Sequence, residues 1–323
     1  MNLERPVCNL CGHNAADVLF RQRDSLTREP TEFAVVQCRG CGLVYVNPRP
    51  APAEMSRFYT SDFVSYQFRL LGLSREGASV RRQLVAWLTR QSADARARAV
   101  SAVLRANPNG RVLDIGCGAG AFLHQVSAEF GNPVEGIDFD DASVRFCRDE
   151  LGLKGVICGG VEKLVGLTPG FALVTMWHFL EHEHDPLKAL QLAARLLSPK
   201  GVLIVEVPNV KSAENCFFGT RSYLYDVPRH LYHFSRQSLS MLLQRAGLNP
   251  QLVSYPLFSG GWLGSVQQAL LGGRIYRRLE DHVYAFLVLS QLVLPADWAT
   301  ALAGRGSIMR VVASRLPQRE RLP

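Results

Sequence analysis

The sequence predicts an α/β protein built on a parallel sheet with helices on both faces, preceded by a small cysteine-bearing module. Three observations carry this reading. From Arg111 onward, short apolar runs alternate with amphipathic helical stretches. A glycine-rich turn, Asp114-Ile115-Gly116-Cys117-Gly118-Ala119-Gly120, joins the first run to the first of those helices. Upstream, Cys8 with Cys11 and Cys38 with Cys41 form two CxxC pairs.

In order along the chain, residues 1–48 form the module, with FAVVQC and LVYVNP as short strands. Residues 49–109 read as a mainly helical segment that carries Arg69, Arg75, Arg81, Arg82, Arg90, Arg96, Arg98 and Arg105. It caps or connects, and Pro108-Asn109-Gly110 ends it. Residues 110–323 hold the sheet. RVLDIG, VEGID, VICGG, FALVTMW and GVLIVEV are its apolar strands, with AFLHQVSAEF, VRFCRDELG and DPLKALQLAARLLS as helices between them. SRQSLSMLLQRAGL is a further helix with Ser235 as its N-cap. QLVSYPLF and SIMRVVASR close the sheet, separated by an apolar, mostly helical insertion over about 260–304.

At 323 residues and 47% hydrophobic content the chain has material for a sizeable core. Its net charge of +8 suits an anionic partner such as RNA, an acidic lipid surface or a phosphorylated substrate. The first residues lack the apolar stretch of a secretory signal, and the cysteine usage suits a reducing compartment, so a cytoplasmic protein is expected. The longest dense apolar run, Val283 to Ala296, falls short of the ~20 residues that span a bilayer, so no transmembrane helix is expected. The insertion carries Trp262, Leu263, Leu270, Tyr276, Phe286 and Trp298, with Arg274, Arg277 and Arg278 beside them. That pattern suits plain packing, a substrate lid, the face of a homodimer or a peripheral membrane contact, and leaves monomer and homodimer open.

Two CxxC pairs, each followed by glycine (Gly12 and Gly42), are the usual way to set four thiolates around zinc. With Cys8, Cys11, Cys38 and Cys41 filling every position, the metal would be structural. The glycine turn, for its part, allows close approach of a ligand, and the helix after it presents its N-terminus to an anionic group. Asp138 ends the second strand in GIDFD, where a carboxylate can accept from both hydroxyls of a ribose. Ala121 completes a G-x-G-x-x-A pattern, so a dinucleotide fits the same residues.

VLDIGCGAG, GIDFD, LVTMWHFLEHEHDP and DVPRHLYHFSRQSL together resemble the class I S-adenosylmethionine-dependent methyltransferases. The leading CxxC pairs and the NPRP segment at Asn47 narrow the resemblance to a bacterial subgroup with an N-terminal zinc ribbon, and it covers essentially the whole chain. It implies a Rossmann-like seven-stranded methyltransferase sheet. It also implies that Asp114, Gly116, Cys117, Gly118 and Gly120 line the methionine part of the cofactor, that Asp138 holds its ribose, and that Phe139 lies beside its adenine. Trp177 and His178 would flank the sulfonium. The family often places an aspartate after the third strand to bind adenine. Here the sequence reads Gly159-Gly160-Val161-Glu162, which makes Glu162 the candidate.

Methyl transfer to a hydroxyl or an enolisable carbon needs a base, and His178, His182 and His230 are the candidates. His182 is equally suited to bracing its loop, and Arg229 to holding an anionic substrate group or to a network with Asp226. The expected acceptor is a small or carrier-linked metabolite, such as a sugar, a polysaccharide precursor or a secondary metabolite. An RNA methyltransferase is the alternative. The cysteine module carries few basic residues and no aromatic–basic interleaving, which counts against nucleic acid. A non-catalytic cofactor-binding scaffold and a nicotinamide oxidoreductase stand further off.

Overall fold

The computed structural model describes residues 1–27, 29–59, 80–271 and 279–316, without the side chains of 271 and 279–282. Arg69, Arg75, Arg274, Tyr276, Arg277 and Arg278 lie outside the described residues.

The N-terminal part contains β1 (Leu3–Glu4), β2 (Ala16–Arg23), β3 (Glu32–Cys38), β4 (Val44–Val46) and β5 (Arg49–Pro50). A long helix follows, α1 (Val80–Ala106). The alternating region then gives β6 (Arg111–Ile115), α2 (Ala121–Phe130), β7 (Val134–Asp138), α3 (Asp141–Asp149), β8 (Val156–Cys158), β9 (Phe171–Trp177), α4 (Pro186–Leu196) and β10 (Leu197–Pro208). It continues with α5 (Ala213–Phe218), β11 (Tyr232–His233), α6 (Arg236–Arg245), β12 (Leu248–Ser254), α7 (Ser259–Leu271), α8 (Leu279–Leu302) and β13 (Ile308–Arg315). The strands and helices expected from the sequence all form. The side chain of Ser235 accepts from the Ser238 N–H as the N-cap of α6.

Seven strands form one sheet in the order β12-β13-β10-β9-β6-β7-β8. Neighbours from β6 to β10 pair in parallel, whereas β13 runs antiparallel between β10 and β12. Alternate strand residues feed two cores. Leu113, Ile115, Val174 and Met176 pack with α4 and α6, while Val112 and Leu173 pack with α1, α2 and α3. The sheet is thus covered on both faces, and its order reverses between β6 and β9, the place where open α/β sheets bind ligands.

The module is tied into the main body. Cys8, Leu10, Val36 and Tyr45 belong to the same core as α4 and α6. Its sheet runs β11-β4-β3-β2, so Tyr232 and His233 supply an edge strand to residues nearly two hundred positions earlier.

One expectation needs correction. The apolar run read as ending at Ala296 continues in the helix α8, which passes through Pro295 at the cost of one hydrogen bond. Asp297, the next charge, is buried. The apolar window therefore extends from Val283 to Leu302, 20 residues, long and apolar enough to cross a membrane.

Candidate active site

The loops after β6, β7 and β9 meet at the carboxyl edge of the sheet. Asp114 is buried at the end of β6 and accepts from Thr175 Oγ1 at 2.7 Å. Burial pushes its carboxyl up to about 7, against the opposing pull of the Thr175 hydrogen bond and of Arg96.

The three glycines that follow do different work. A Cβ at Gly116 would stand 2.5 Å from Phe179, and one at Gly120 would stand 2.7 Å from Cys147 Sγ, so close packing excludes side chains there. Gly118, at φ 52°, would have nothing within 4 Å, so the loop opens at that point. Its N–H donates to Asp138 Oδ2 at 2.7 Å, and Asp138 Oδ1 accepts from the Asp140 N–H at 2.9 Å. Cys117 turns its sulfur down onto Gly136, leaving only backbone to the loop. Phe139 stands 57% exposed, with the Tyr59 ring 5.6 Å away. Glu162, at the neighbouring strand end, accepts from the N–H of Gly160 at 2.9 Å. An open glycine cradle, a buried acid short of a counter-charge and an exposed aromatic face match the backbone, ammonium and adenine of S-adenosylmethionine, so the residues fit that cofactor.

On the other side of Tyr59 lie the histidines. The Tyr59 hydroxyl is 3.1 Å from His182 Nδ1, and the rings of His182 and His230 meet edge to face at 4.7 Å. His182 Nδ1 lies 3.0 Å from the Arg229 carbonyl, and His230 Nδ1 lies 2.8 Å from the Leu224 carbonyl. A carbonyl only accepts, so both Nδ1 atoms carry hydrogen and donate, which turns each Nε2 away from these bonds. Burial, and then the neighbouring His230, press His182 down to about 4. The Glu181 carboxylate and the two imidazoles offer ligand atoms within 4.8 Å of one another, a group compact enough for a divalent cation.

His178 has a different character. Its Nδ1 is 3.3 Å from Glu181 and its Nε2 is 3.5 Å from Glu206. Burial works against its charge, but the two carboxylates outweigh that and lift it to about 9. Glu181 makes no well-formed hydrogen bond, so this ion pair is what balances its buried charge.

Trp177, at the end of β9, is packed in rather than open. The indole is 5% exposed, lies between the guanidiniums of Arg96 and Arg310 at 5.1 Å each, and packs on Phe122. Arg229 is likewise closed off. Nε donates to Asp226 at 3.0 Å, Nη2 to Asp24 at 2.9 Å and Nη1 to the Phe58 carbonyl at 3.2 Å, and at 1% exposure the guanidinium is out of reach of a substrate anion. The network with Asp226 is the reading that holds, and Arg229, outweighing burial, keeps the Asp226 carboxyl at about 2.

The four cysteines converge. Cys8 Sγ is 3.5 Å from Cys41 Sγ, Cys11 Sγ is 3.5 Å from Cys38 Sγ, and all four lie within 4.8 Å of one another. Tetrahedral zinc with Zn–S bonds of about 2.3 Å separates sulfurs by about 3.8 Å, so the cluster is consistent with that ion. Each pair closes the same turn, with Gly12 N–H donating to the Cys8 carbonyl and Gly42 N–H to the Cys38 carbonyl. Inside the first pair, Asn9 Nδ2 donates to Asp185 at 2.9 Å while Asn9 Oδ1 accepts from the Leu187 N–H at 2.9 Å. Arg245, on α6, donates to the Leu10 carbonyl. The knuckle therefore holds the start of α4, three residues after His182.

Sequence reasoning passed over Tyr59, Glu206, Arg310 and Phe258. Glu206 and Arg310 carried a signal, since each is a lone charge inside an apolar strand. Tyr59 and Phe258 are aromatics in irregular segments and carried none.

The family described as "Methyltransferase domain" matches residues 82–253, more than half of the chain. The chain belongs to that family. Among relatives of this methyltransferase-domain protein, a ubiquinone biosynthesis O-methyltransferase of Bordetella avium is 34% identical over 155 residues, covering 43% of this chain and 62% of the relative. One of Neisseria meningitidis is 28% identical over 151 residues, covering 43% and 63%. The methyltransferase-domain chain thus spans less than two thirds of the length of these curated relatives. A solved SAM-dependent methyltransferase from Archaeoglobus fulgidus aligns with a TM-score of 0.47 at 20% identity, over 70% of this chain and 94% of its own.

Proposed function

We propose that this chain transfers a methyl group from S-adenosylmethionine to a hydroxyl, or an enolisable carbon, of a small or carrier-linked metabolite. One observation carries the reading. The open loop at Gly118, with Asp114 and Asp138, lies on one side of Tyr59, and His182 and His230 lie on the other. Cofactor-binding and proton-accepting groups thereby share one cleft.

The cofactor supplies an activated methyl group on a sulfonium. The protein supplies position and a base. Asp114 faces the cationic aminoacyl end, Asp138 the ribose hydroxyls and Phe139 the adenine, with Glu162 beside it. His182 accepts the acceptor's proton on Nε2, and His230, edge-on to it, is the second basic nitrogen. His178, held as a cation between Glu181 and Glu206, positions the loop and takes no proton near neutral pH. Alignment in a desolvated cleft provides much of the remaining acceleration. The four cysteines hold a structural zinc, which orders the module against α4.

The relatives named for ubiquinone biosynthesis favour an O-methylation. Titration calorimetry with S-adenosylmethionine and S-adenosylhomocysteine tests the cofactor assignment. Micromolar binding of both is expected, and heat from neither overturns it.

A further inference from the structure

Among the described residues, nothing covers an apolar surface that the helix α8 exposes. Tyr284, Val288, Leu292, Trp298 and Leu302 fall within an arc of about 120° at roughly 100° per residue, a stripe about 27 Å long. Val288, Leu292 and Leu302 are 65%, 72% and 70% exposed. Leu289 and Leu294, outside that arc, are exposed as well. No Asp, Glu, Lys or Arg occurs from Val283 to Ala296. Only 6% of the apolar window is buried inside the protein. Val283, packed against Val85 of α1, marks the inner side.

Three environments suit such a helix: a core, a bilayer crossing or an apolar interface. Burial excludes the core. Topology excludes the crossing. The strands β12 and β13 flank the insertion and pair directly with each other, so both of its ends lie on one side of any membrane. A single crossing would strand β13, and the other helix of the insertion, α7, has 13 residues or about 20 Å, against a hydrocarbon core of about 30 Å. The helix must therefore lie along a surface. A flat protein partner covers one side of a helix, whereas exposure that continues past the stripe suits acyl chains, which wrap around it. The side chains of Tyr284 and Trp298, near the two ends, are of the type that settles at headgroup level. A net charge of +8 complements anionic headgroups.

We infer that α8 docks this protein on an anionic phospholipid surface, apolar stripe inward, and so presents the cleft to acceptors that reside in lipid. The route is short. Asp297 of α8 accepts from the Phe258 N–H at 2.6 Å, and the Phe258 ring lies 5.9 Å from that of His178. Trp298 and Leu302 also wall a groove of about 600 Å3 with Tyr255 and Leu257. The acceptor class rests on the methyl-transfer reading, whereas the docking does not.

The test is co-sedimentation of the full chain with vesicles of phosphatidylcholine, with and without 30% phosphatidylglycerol, in the absence of S-adenosylmethionine. Binding to the anionic vesicles is expected. It should fall at least tenfold in a Val288→Glu/Leu292→Glu variant whose melting temperature is unchanged, and several-fold in the gentler Leu292→Ala/Trp298→Ala variant. Wild-type protein that stays in the supernatant, or glutamates that leave binding intact, overturn the inference. A dimer that the same substitutions dissociate, with no vesicle binding, overturns it in favour of a second copy. Vesicle binding by a protein that takes up no S-adenosylmethionine would sink the methyl-transfer reading and leave the docking standing.

Discussion

Asn9, between two cysteines of the N-terminal cluster, caps the helix that begins three residues after His182, donating to Asp185 and accepting from Leu187 at 2.9 Å each. A residue of the cysteine module is thereby bonded to the helix that follows the histidine loop. Chelation of the metal should lower turnover and melting temperature together, since a short cysteine module folds around its ion. Asn9→Ala should separate the two, leaving one zinc per chain by mass spectrometry while kcat falls several-fold. Unchanged kcat would show that the knuckle has no hold on the loop.

The buried His182 predicts an unusual pH profile. Because burial presses His182 down to about 4, it remains a base well below the ordinary imidazole range. At saturating cofactor, kcat should stay level from pH 7 to about 5, and His182→Ala should lower it by about 10²–10⁴-fold with cofactor affinity unchanged. A tenfold fall per unit below pH 6.5 would identify an ordinary imidazole instead.

Cofactor affinity should behave in the opposite way. Asp114, raised to about 7 by burial, binds a cation only when ionised. The dissociation constant for S-adenosylmethionine should therefore rise about tenfold per unit as pH falls below 7. Asp114→Asn should weaken binding by at least tenfold, about 1.4 kcal/mol, and flatten that slope. Calorimetry across pH 5.5–8 measures both.

His178 links the site to stability. Its value is raised in the folded protein, to about 9, so its pairing with Glu181 and Glu206 is fully present below about 6.5 and is lost as pH rises through 9. Denaturant midpoints should decline over that window by an amount on the order of 2 kcal/mol, and His178→Gln should remove the decline.

Arg229 is buried with Asp24 on one side and Asp226 on the other. Arg229→Met leaves two buried carboxylates unpaired and should cost about 3–5 kcal/mol in urea unfolding. A loss below 1 kcal/mol would mean that water reaches the pair.

The strands and the glycine turn were readable because their signals are local. Apolar runs from Val112 to Val207 recur at strand length, and Asp114 and Asp138 close successive strands. The four cysteines were readable because ligand spacing is itself local. What escaped depends on partners far apart in sequence. Nothing near Arg229 announces Asp24, nothing near His178 announces Glu206, and nothing near Asn9 announces Leu187. Tyr59, which joins Phe139 to His182, draws its role wholly from tertiary proximity. The apolar run was read as ending at Ala296 because Asp297 follows it, whereas that carboxylate is buried and the helix carries on to Leu302.

The pairing of β11 with β4 also sets a schedule for synthesis. The cysteine sheet lacks its edge strand until Tyr232 and His233 have left the ribosome, roughly 10–40 s after Cys38 at about 5–20 residues per second. During that interval the β4 edge stays open on a nascent chain, and a segment expressed without its distal strand would stay in that condition.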